Sequence, residues 1–456
     1  MSELPNLQLR WSRSMGVKLI VVCGLALLML IPAIFVEALI EDRKNREVDV
    51  VKEISQLVGG QQTFLGPVLA IPYDIPAVSS VEASRHGTYF VFPAQASATV
   101  KTRTEERRRS LFKVPVFQAD LQLDSAFDLT GVPAAAPRGA DLDWSRAEIV
   151  VGVSDPRGAV SDATLTAAGK TATLAPAEIA QNFSFAGQNP QTRLTLFGAR
   201  LPALAQPDGH FSVSAALRFS GAQRLAVLAY GKTTHVTQQG DWASPGFDGG
   251  FLPVSRTVTR NGFSAEWSVP FIARGVRAEG TGESITGLDA TALGVSFIEV
   301  ADPYQSVTRS LKYVPLFLGL VFLSYFVFEV TSRRRVHPAQ YILVGMAQLI
   351  FYLLLLSLAE RIGFDLGFLI AGAATVGLLA ANAGWIFASR TQGFRALVTF
   401  ALLYVLIYLL LRLEDNALLV GAIASFAAVA VAMYLTRGID WYSSLPASSA
   451  GAGDAR

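Results

Sequence analysis

The chain has 456 residues, 51% of them hydrophobic and only 16% charged. Soluble domains carry about 25% charged residues; this deficit, with a mean hydropathy of +0.39, excludes an ordinary cytosolic enzyme and implies lipid-buried segments. Lys and Arg number 38 against 36 Asp and Glu, so the net charge of +2 offers no polybasic surface for nucleic acid.

The first apolar run, Val17–Val36, has no charge after Lys18 and breaks only at Pro32. About 20 such residues cross the hydrocarbon layer as a helix. Arg10, Arg13 and Lys18 precede it, as basic residues precede a cleaved signal peptide. Secretory apolar cores are shorter, about 7–15 residues, and end at a small-x-small site. This run passes through Phe35 into Glu37 instead, which predicts an uncleaved anchor. Its single cysteine, Cys23, has no partner in the chain, which excludes a disulfide framework and a cysteine-based metal site. Beyond Ile40 a helical period persists, with Val48, Val51, Ile54 and Leu57 or Val58 on one side, until Gly59 and Gly60 stop it. Residues 1–16 are expected to be cytoplasmic, and 17–58 to form one helix that leaves the bilayer as a stalk.

From Thr63 to Ala301 the period changes to two, as in YFVFPAQASATVKT, HFSVSAALRFS and GFSAEWSVPFIA. β-Branched and aromatic runs bounded by Gly, Pro, Asp and Asn predict a large all-β extracytoplasmic domain over 59–310, antiparallel and sandwich-like. Its densest charge cluster is KTRTEERRRS, Lys101–Ser110. Arg103, Arg107, Arg108 and Arg109 are candidates for contact with an anion or partner, because guanidinium forks suit phosphate and carboxylate. Glu105 and Glu106 neutralise part of the run, so a solvated hairpin or an edge strand defended by charge explains it more cheaply. Asp155-Pro156-Arg157-Gly158 reads as a turn in which Arg157 reaches a neighbouring acid. GDWASPGFDGGFLP, with Trp242, Phe247 and Phe251, reads as an Ω-type loop over the core or as a binding loop with aromatic anchors.

The remaining chain is a second membrane block, with apolar segments Tyr313–Phe328, Tyr341–Ala359, Leu366–Ala388, Ala396–Leu411 and Ala417–Leu435. Runs this continuous mean helices, since lipid tolerates only helices or closed barrels. A bundle of five transmembrane helices is expected over 311–436, with 437–456 as a cytoplasmic tail, giving about six spans in all. The basic separators orient it. Arg333, Arg334 and Arg335 mark one link as cytoplasmic, and alternation then puts Arg390, Arg395 and Arg437 inside. Both termini are therefore expected inside and the β domain outside.

Glu360, Arg361, Asp365, Arg412, Glu414 and Asp415 should share the outer end of the bundle and dock the β domain through ion pairs. Paired carboxylates there could also do acid–base work, but helix-end salt bridges account for the same residues. Glu329 falls near the inner end, within reach of Arg333–Arg335, while Gln348 and Asn382 are deep amides of the kind that join helices. Signatures such as G-x-S-x-G, H-E-x-x-H and the phosphate-binding G-x-x-x-x-G-K-[ST] are missing. His86, His210, His235 and His337 are scattered, unlike the three or four convergent ligands of a zinc site. No catalytic residue, cofactor or metal is predicted, and the chain is expected not to be an enzyme.

RRRVHPAQYILVGMAQLIFYLLLLSLAERIGFDLGFLIAGAATVGLLA resembles the CreD family of inner-membrane proteins. So do LEDNALLVGAIASFAAVAVAMYLTRGIDWY, FLGPVLAIPY, SLFKVPVFQA and SPGFDGGFLPVSRTVTRNGFSAEWSV, and the resemblance runs nearly end to end. It implies a bacterial inner-membrane protein with one N-terminal span, a large periplasmic domain and a C-terminal helical group. It further implies a role in envelope integrity under stress, linked to a two-component system and to tolerance of colicins and β-lactams. It implies no reaction. The expected partners are the lipid bilayer and an envelope component or another periplasmic or membrane protein, with no nucleic acid; oligomeric state is left open. A transporter or export accessory is the alternative, and a membrane-embedded enzyme a weaker one.

Overall fold

The computed structural model describes residues 15–76, 85–109, 112–179, 194–200, 209–297, 303–332, 336–412 and 417–437. The chain divides into two compact units, one formed by residues 1–46 with 301–456 and the other by 47–300.

The helical unit begins with α1 (Met15–Leu28), followed at once by α2 (Leu30–Leu57), whose distal part belongs to the other unit. Two short helices, α3 (Val132–Ala135) and α4 (Phe271–Arg274), lie among the strands. The C-terminal part contains α5 (Pro303–Leu311), α6 (Val314–Ser332), α7 (Pro338–Ile362), α8 (Phe364–Ile386), α9 (Arg390–Arg412) and α10 (Ala417–Thr436). Among the described residues six helices are long and apolar enough to cross a membrane, one near the N-terminus and five after residue 313. Each of the five later apolar runs falls on one of them.

Small residues let these helices approach. The face of α8 that is buried against α7 and α9 carries Gly367, Ala371, Gly372, Thr375 and Ala383, as lipid-embedded interfaces require in the absence of a hydrophobic driving force. α7 and α8 are joined by Gly363 alone, at a φ of 84° that only glycine adopts without strain. At Gly345 of α7 a Cβ would meet Met29 at 2.7 Å and the Phe322 ring at 3.1 Å, so this glycine is what admits the N-terminal helix against α6 and α7.

The second unit is built from β1 (Gln62–Ile75), β2 (Arg85–Val91), β3 (Gln95–Arg109), β4 (Phe112–Asp128), β5 (Asp141–Leu142) and β6 (Glu148–Val153). β7 (Thr164–Ala167), β8 (Lys170–Thr173), β9 (Ala175–Pro176), β10 (Thr195–Ala199), β11 (His210–Ala222) and β12 (Arg224–Leu228) follow. β13 (Thr233–Gly240), β14 (Pro245–Gly249), β15 (Ser255–Thr259), β16 (Gly262–Val269), β17 (Glu279–Thr281) and β18 (Ala292–Phe297) complete it. One sheet runs β14-β18-β12-β1-β6-β10-β9, with β2, β5 and β17 attached to it; the other runs β15-β16-β13-β3-β4-β11-β7-β8. The sandwich-like expectation is met, with one refinement. β1 pairs with β12, and β3 with β13, in parallel. Each parallel pair joins strands far apart in the chain, which no tight turn can do.

Both sheets face a single core. Phe64 of β1 meets Phe219 of β11 edge-on at 5.3 Å, and Phe117 of β4 meets Phe297 of β18 at 5.0 Å. β3 alternates buried and exposed positions because one of its faces meets water, whereas β1 and β6 are buried almost throughout. The distal part of α2 closes a smaller cluster in which Ile54 packs with Val114, Val116 and Ala222, flanked by Val50, Val51 and Val58. Val48 and Leu57, expected on the same side, are exposed. The packed face follows 51, 54 and 58 with Val50 beside it, so one turn of the period belongs to a neighbouring stripe.

Tyr230, just past β12, joins the sheets. Its hydroxyl donates to the carbonyls of Ser97 in β3 and Asp124 in β4, at 2.6 and 3.0 Å, and burial pushes the phenol well above its ordinary pKa. The ring lies where a Cβ on Gly66 would come within 2.4 Å, so Gly66 is the space it occupies. Tyr230→Phe leaves buried carbonyls without their donor and should cost about 1–3 kcal/mol. The loss will be read as a lower unfolding midpoint of the β signal in circular dichroism of the full chain.

Candidate functional site

Lipid makes an ionised side chain the most informative group in an apolar helix, because its charge must be met within the protein. Glu329, near the C-terminal end of α6, is 1% exposed at its side chain. Its carboxylate forms an ion pair with Lys18 of α1. Oε1 also accepts the backbone N–H of Val336 at 2.8 Å, and Oε2 accepts the Tyr341 hydroxyl of α7 at 2.9 Å. Lys18 Nζ in turn donates to the Val336 carbonyl at 3.0 Å. One buried carboxylate thus gathers α1, α6, the α6–α7 link and α7. The sequence pointed to Arg333–Arg335 as neighbours of Glu329; those three lie outside the described residues, and the pairing seen is with a lysine 311 positions away.

A second polar layer sits deeper. The Tyr325 hydroxyl of α6 donates to the Leu379 carbonyl of α8 at 2.9 Å and accepts from the Asn382 amide at 3.4 Å. Tyr404 of α9 donates to Gln348 Oε1 of α7 at 3.0 Å, while Gln348 Nε2 and the Tyr352 hydroxyl, one turn along, have no partner among the described residues. Both deep amides therefore bond between helices. Aromatic contacts fill the space around them, with Tyr325 stacked on Phe400 at 5.4 Å and Phe351 edge-on to Tyr404 at 4.9 Å.

At the end of the bundle opposite Glu329, Asp365 in the first turn of α8 pairs with Arg412 in the last turn of α9. The Tyr408 hydroxyl donates to Asp365 at 3.1 Å and accepts from Arg412 Nε at 3.3 Å. An acid at a helix N-terminus and a base at a C-terminus also complement the two macrodipoles. Glu360 is half-buried and Arg361 exposed in the last turn of α7, at the same end. Glu414 and Asp415 lie outside the described residues. The structure therefore brings Asp365 and Arg412 together, beside the end of α7 that carries Glu360 and Arg361.

In the β unit the arginine cluster lies along the end of the β3–β4 hairpin. Arg107 pairs with Glu105 at 2.9 Å, Arg108 with Glu106 at 3.8 Å, and Arg109 with Glu53 of α2 at 2.6 Å. Arg103 is exposed. With most of its charge met locally, the run is the end of a central hairpin that extends past its neighbouring strands and is covered by ion pairs, rather than a convergent anion cradle. Asp155 accepts the Arg157 amide at 3.0 Å and its guanidinium at 2.6 Å, and this hydrogen bonding holds the carboxyl below the usual carboxylate range. Trp242 and Phe247 do cover the core, packing on Phe297, Phe263 and Trp267. Residues 245–249 are an edge strand, however, not a loop. Among the described residues no group of three or more His, Cys, Asp or Glu side chains could hold a metal ion.

Removing one member of the Glu329 network strands the other in a low-dielectric site. Glu329→Gln and Lys18→Met should each lower stability by about 3–5 kcal/mol, and the double substitution should recover most of it. Thermal midpoints of the purified protein in detergent, compared as a double-mutant cycle, measure the coupling.

The family described as inner membrane protein CreD matches this chain over residues 14–442. The curated relative named inner membrane protein CreD, from Escherichia coli (strain K12), is 32% identical over 442 residues, covering 93% of this chain and 93% of its own length.

Proposed function

The chain belongs to the CreD family of inner membrane proteins, and from that premise we propose that it supports envelope integrity by displaying its β domain in the periplasm, without a chemical step of its own. The observation that carries this reading is the Lys18–Glu329–Val336 network. It sets the start of the first span and the α6–α7 link at one end of the helical unit, the same end that the basic residues Arg333–Arg335 mark as cytoplasmic. Both chain ends of the β domain then continue into helices that one ionic network joins, so the domain is held at two points. Support for a non-enzymatic role comes from how the ionised groups are used: Glu329 is consumed by Lys18, Tyr341 and a backbone amide, and Asp365 by Arg412 and Tyr408. What the domain contacts is then a partner or envelope component.

Cysteine accessibility tests the display. In a Cys23→Ser background, a membrane-impermeant maleimide should label Ser161→Cys in intact cells with a permeabilised outer membrane and leave Ser332→Cys unmodified until lysis. Labelling of Ser332→Cys alone would reverse the arrangement. In a strain lacking the protein, the wild-type chain should restore tolerance of envelope stress, and Glu329→Gln should restore it less in proportion to its lost stability.

A further inference from the structure

β15 is the last strand of its sheet and pairs with β16 alone among the described residues. Its even-numbered positions share a face with the core. Arg256 stands opposite Ala265 and Val258 opposite Phe263, both buried, and the ladder extends to Val254, whose N–H donates to the Glu266 carbonyl at 2.7 Å. Positions on such a face are normally covered. Here Val254 is 76% exposed, Leu252 72% and Val258 48%. Where β16 ends, Pro270 turns the chain into α4 and leaves Ile272 92% exposed. Trp267 Nε1 donates to the Phe251 carbonyl at 3.1 Å, which holds the segment carrying Leu252 beside that end of β16.

On the face that carries these apolar residues the charges of β15 and the residue after it are both positive. Arg256 and Arg260 are exposed and make no ion pair among the described residues; Arg256 lies over the Phe247 ring at 5.7 Å. Glu266, on the opposite face of the sheet, bonds Ser255 at 3.2 Å. A lone basic residue would read as an edge guard. Alternating Leu252, Val254, Arg256, Val258 and Arg260 is instead a half-finished strand pair.

The position within the β unit narrows the occupant. β13 runs parallel to β3 from Thr233 opposite Gln95, and Val269 of β16 lies opposite Thr234. Ile272 and Leu252 therefore lie at the Gln95 end of β3. Its Arg109 end meets α2, and Phe297 bonds beside Gln223 and Pro115 near that end. The two ends of β3 are about 46 Å apart at roughly 3.3 Å per residue. The uncovered edge thus reaches the pole of the β unit farthest from where the chain enters and leaves it.

We infer that β15 receives an extended segment of a partner protein with alternating apolar and acidic side chains, which adds as a ninth strand to this sheet. Lipid cannot be the occupant, because an edge strand entering hydrocarbon would bury its unpaired N–H and C=O groups. A second copy pairing through the same edge would bring Arg256 and Arg260 of both chains together, like against like. An acidic strand satisfies the backbone, covers Val254 and Val258, and neutralises the arginines at once. The inference rests on the display reading and names the surface through which that display acts.

Photo-crosslinking with the full chain in intact cells tests it. Benzoylphenylalanine placed at Val254 or Val258 should give a protein adduct whose linked peptide, mapped by mass spectrometry, is acidic and apolar in alternation. The same probe at Thr237, on the outer polar face, should give none. Arg256→Glu with Arg260→Glu should reduce the adduct at least about fivefold. The double variant must keep the wild-type melting midpoint; if it does not, Arg256→Gln with Arg260→Gln carries the comparison, with a smaller loss expected. A dimer of this chain, a lipid adduct alone, an adduct indifferent to charge, or no adduct would each overturn the assignment. Failure of the display reading is separate, since it appears as reversed cysteine labelling whatever the probe captures.

Discussion

A carboxylate inside an apolar bundle can remain ionised only if its charge and lone pairs are all met, and Glu329 meets that demand with groups from distant parts of the chain. Lys18 stands in the first helix, which is separated from the other five by the whole β unit. Apolar side chains alone would give this helix little reason to choose its neighbours, since lipid tails are as apolar as leucine. The ion pair supplies a specific partner, and Gly345 supplies the room for Met29 to approach. Charge and shape therefore fix the helix together. The β unit can then be held from both of its ends.

The helical part was legible because the bilayer imposes a long uninterrupted apolar run, a signal that survives in a single sequence. The β part was legible as a class, through period-two runs such as SATVKT in β3, but its strand order was not. Nothing local in Gln62–Phe64 announces a parallel match with Leu225–Val227. The Lys18–Glu329 pair was hidden for a similar reason. Proximity along the chain favours Arg333–Arg335 as partners of Glu329, whereas the bundle brings in a residue from the opposite terminus. One signal was available: Lys18 is the only charge inside the first apolar run and Glu329 directly follows the run Tyr313–Phe328 as the only charge of its helix, and two such isolated opposite charges suit each other.

The arginine cluster and the β15 edge show the converse. KTRTEERRRS stands out in the sequence through its charge density, yet Glu53, Glu105 and Glu106 absorb three of its arginines. LPVSRTVTR looks like an ordinary strand with one apolar face. Only the fold shows that this face, unlike those of β16 and β13 beside it, stays exposed along the strand. Periodicity reports which side of a strand is apolar; it carries no information on whether anything lies against that side.

The two units meet different solvation costs. In the helices the costly groups are polar, and several join one helix to another: Glu329 with Lys18, Tyr325 with Asn382, Tyr404 with Gln348, Asp365 with Arg412. In the β unit, exposed apolar side chains gather along β15 beside Arg256 and Arg260, which make no ion pair among the described residues. The physical boundary between the two demands is the change from a solvent that penalises unmet charge to one that penalises exposed hydrocarbon.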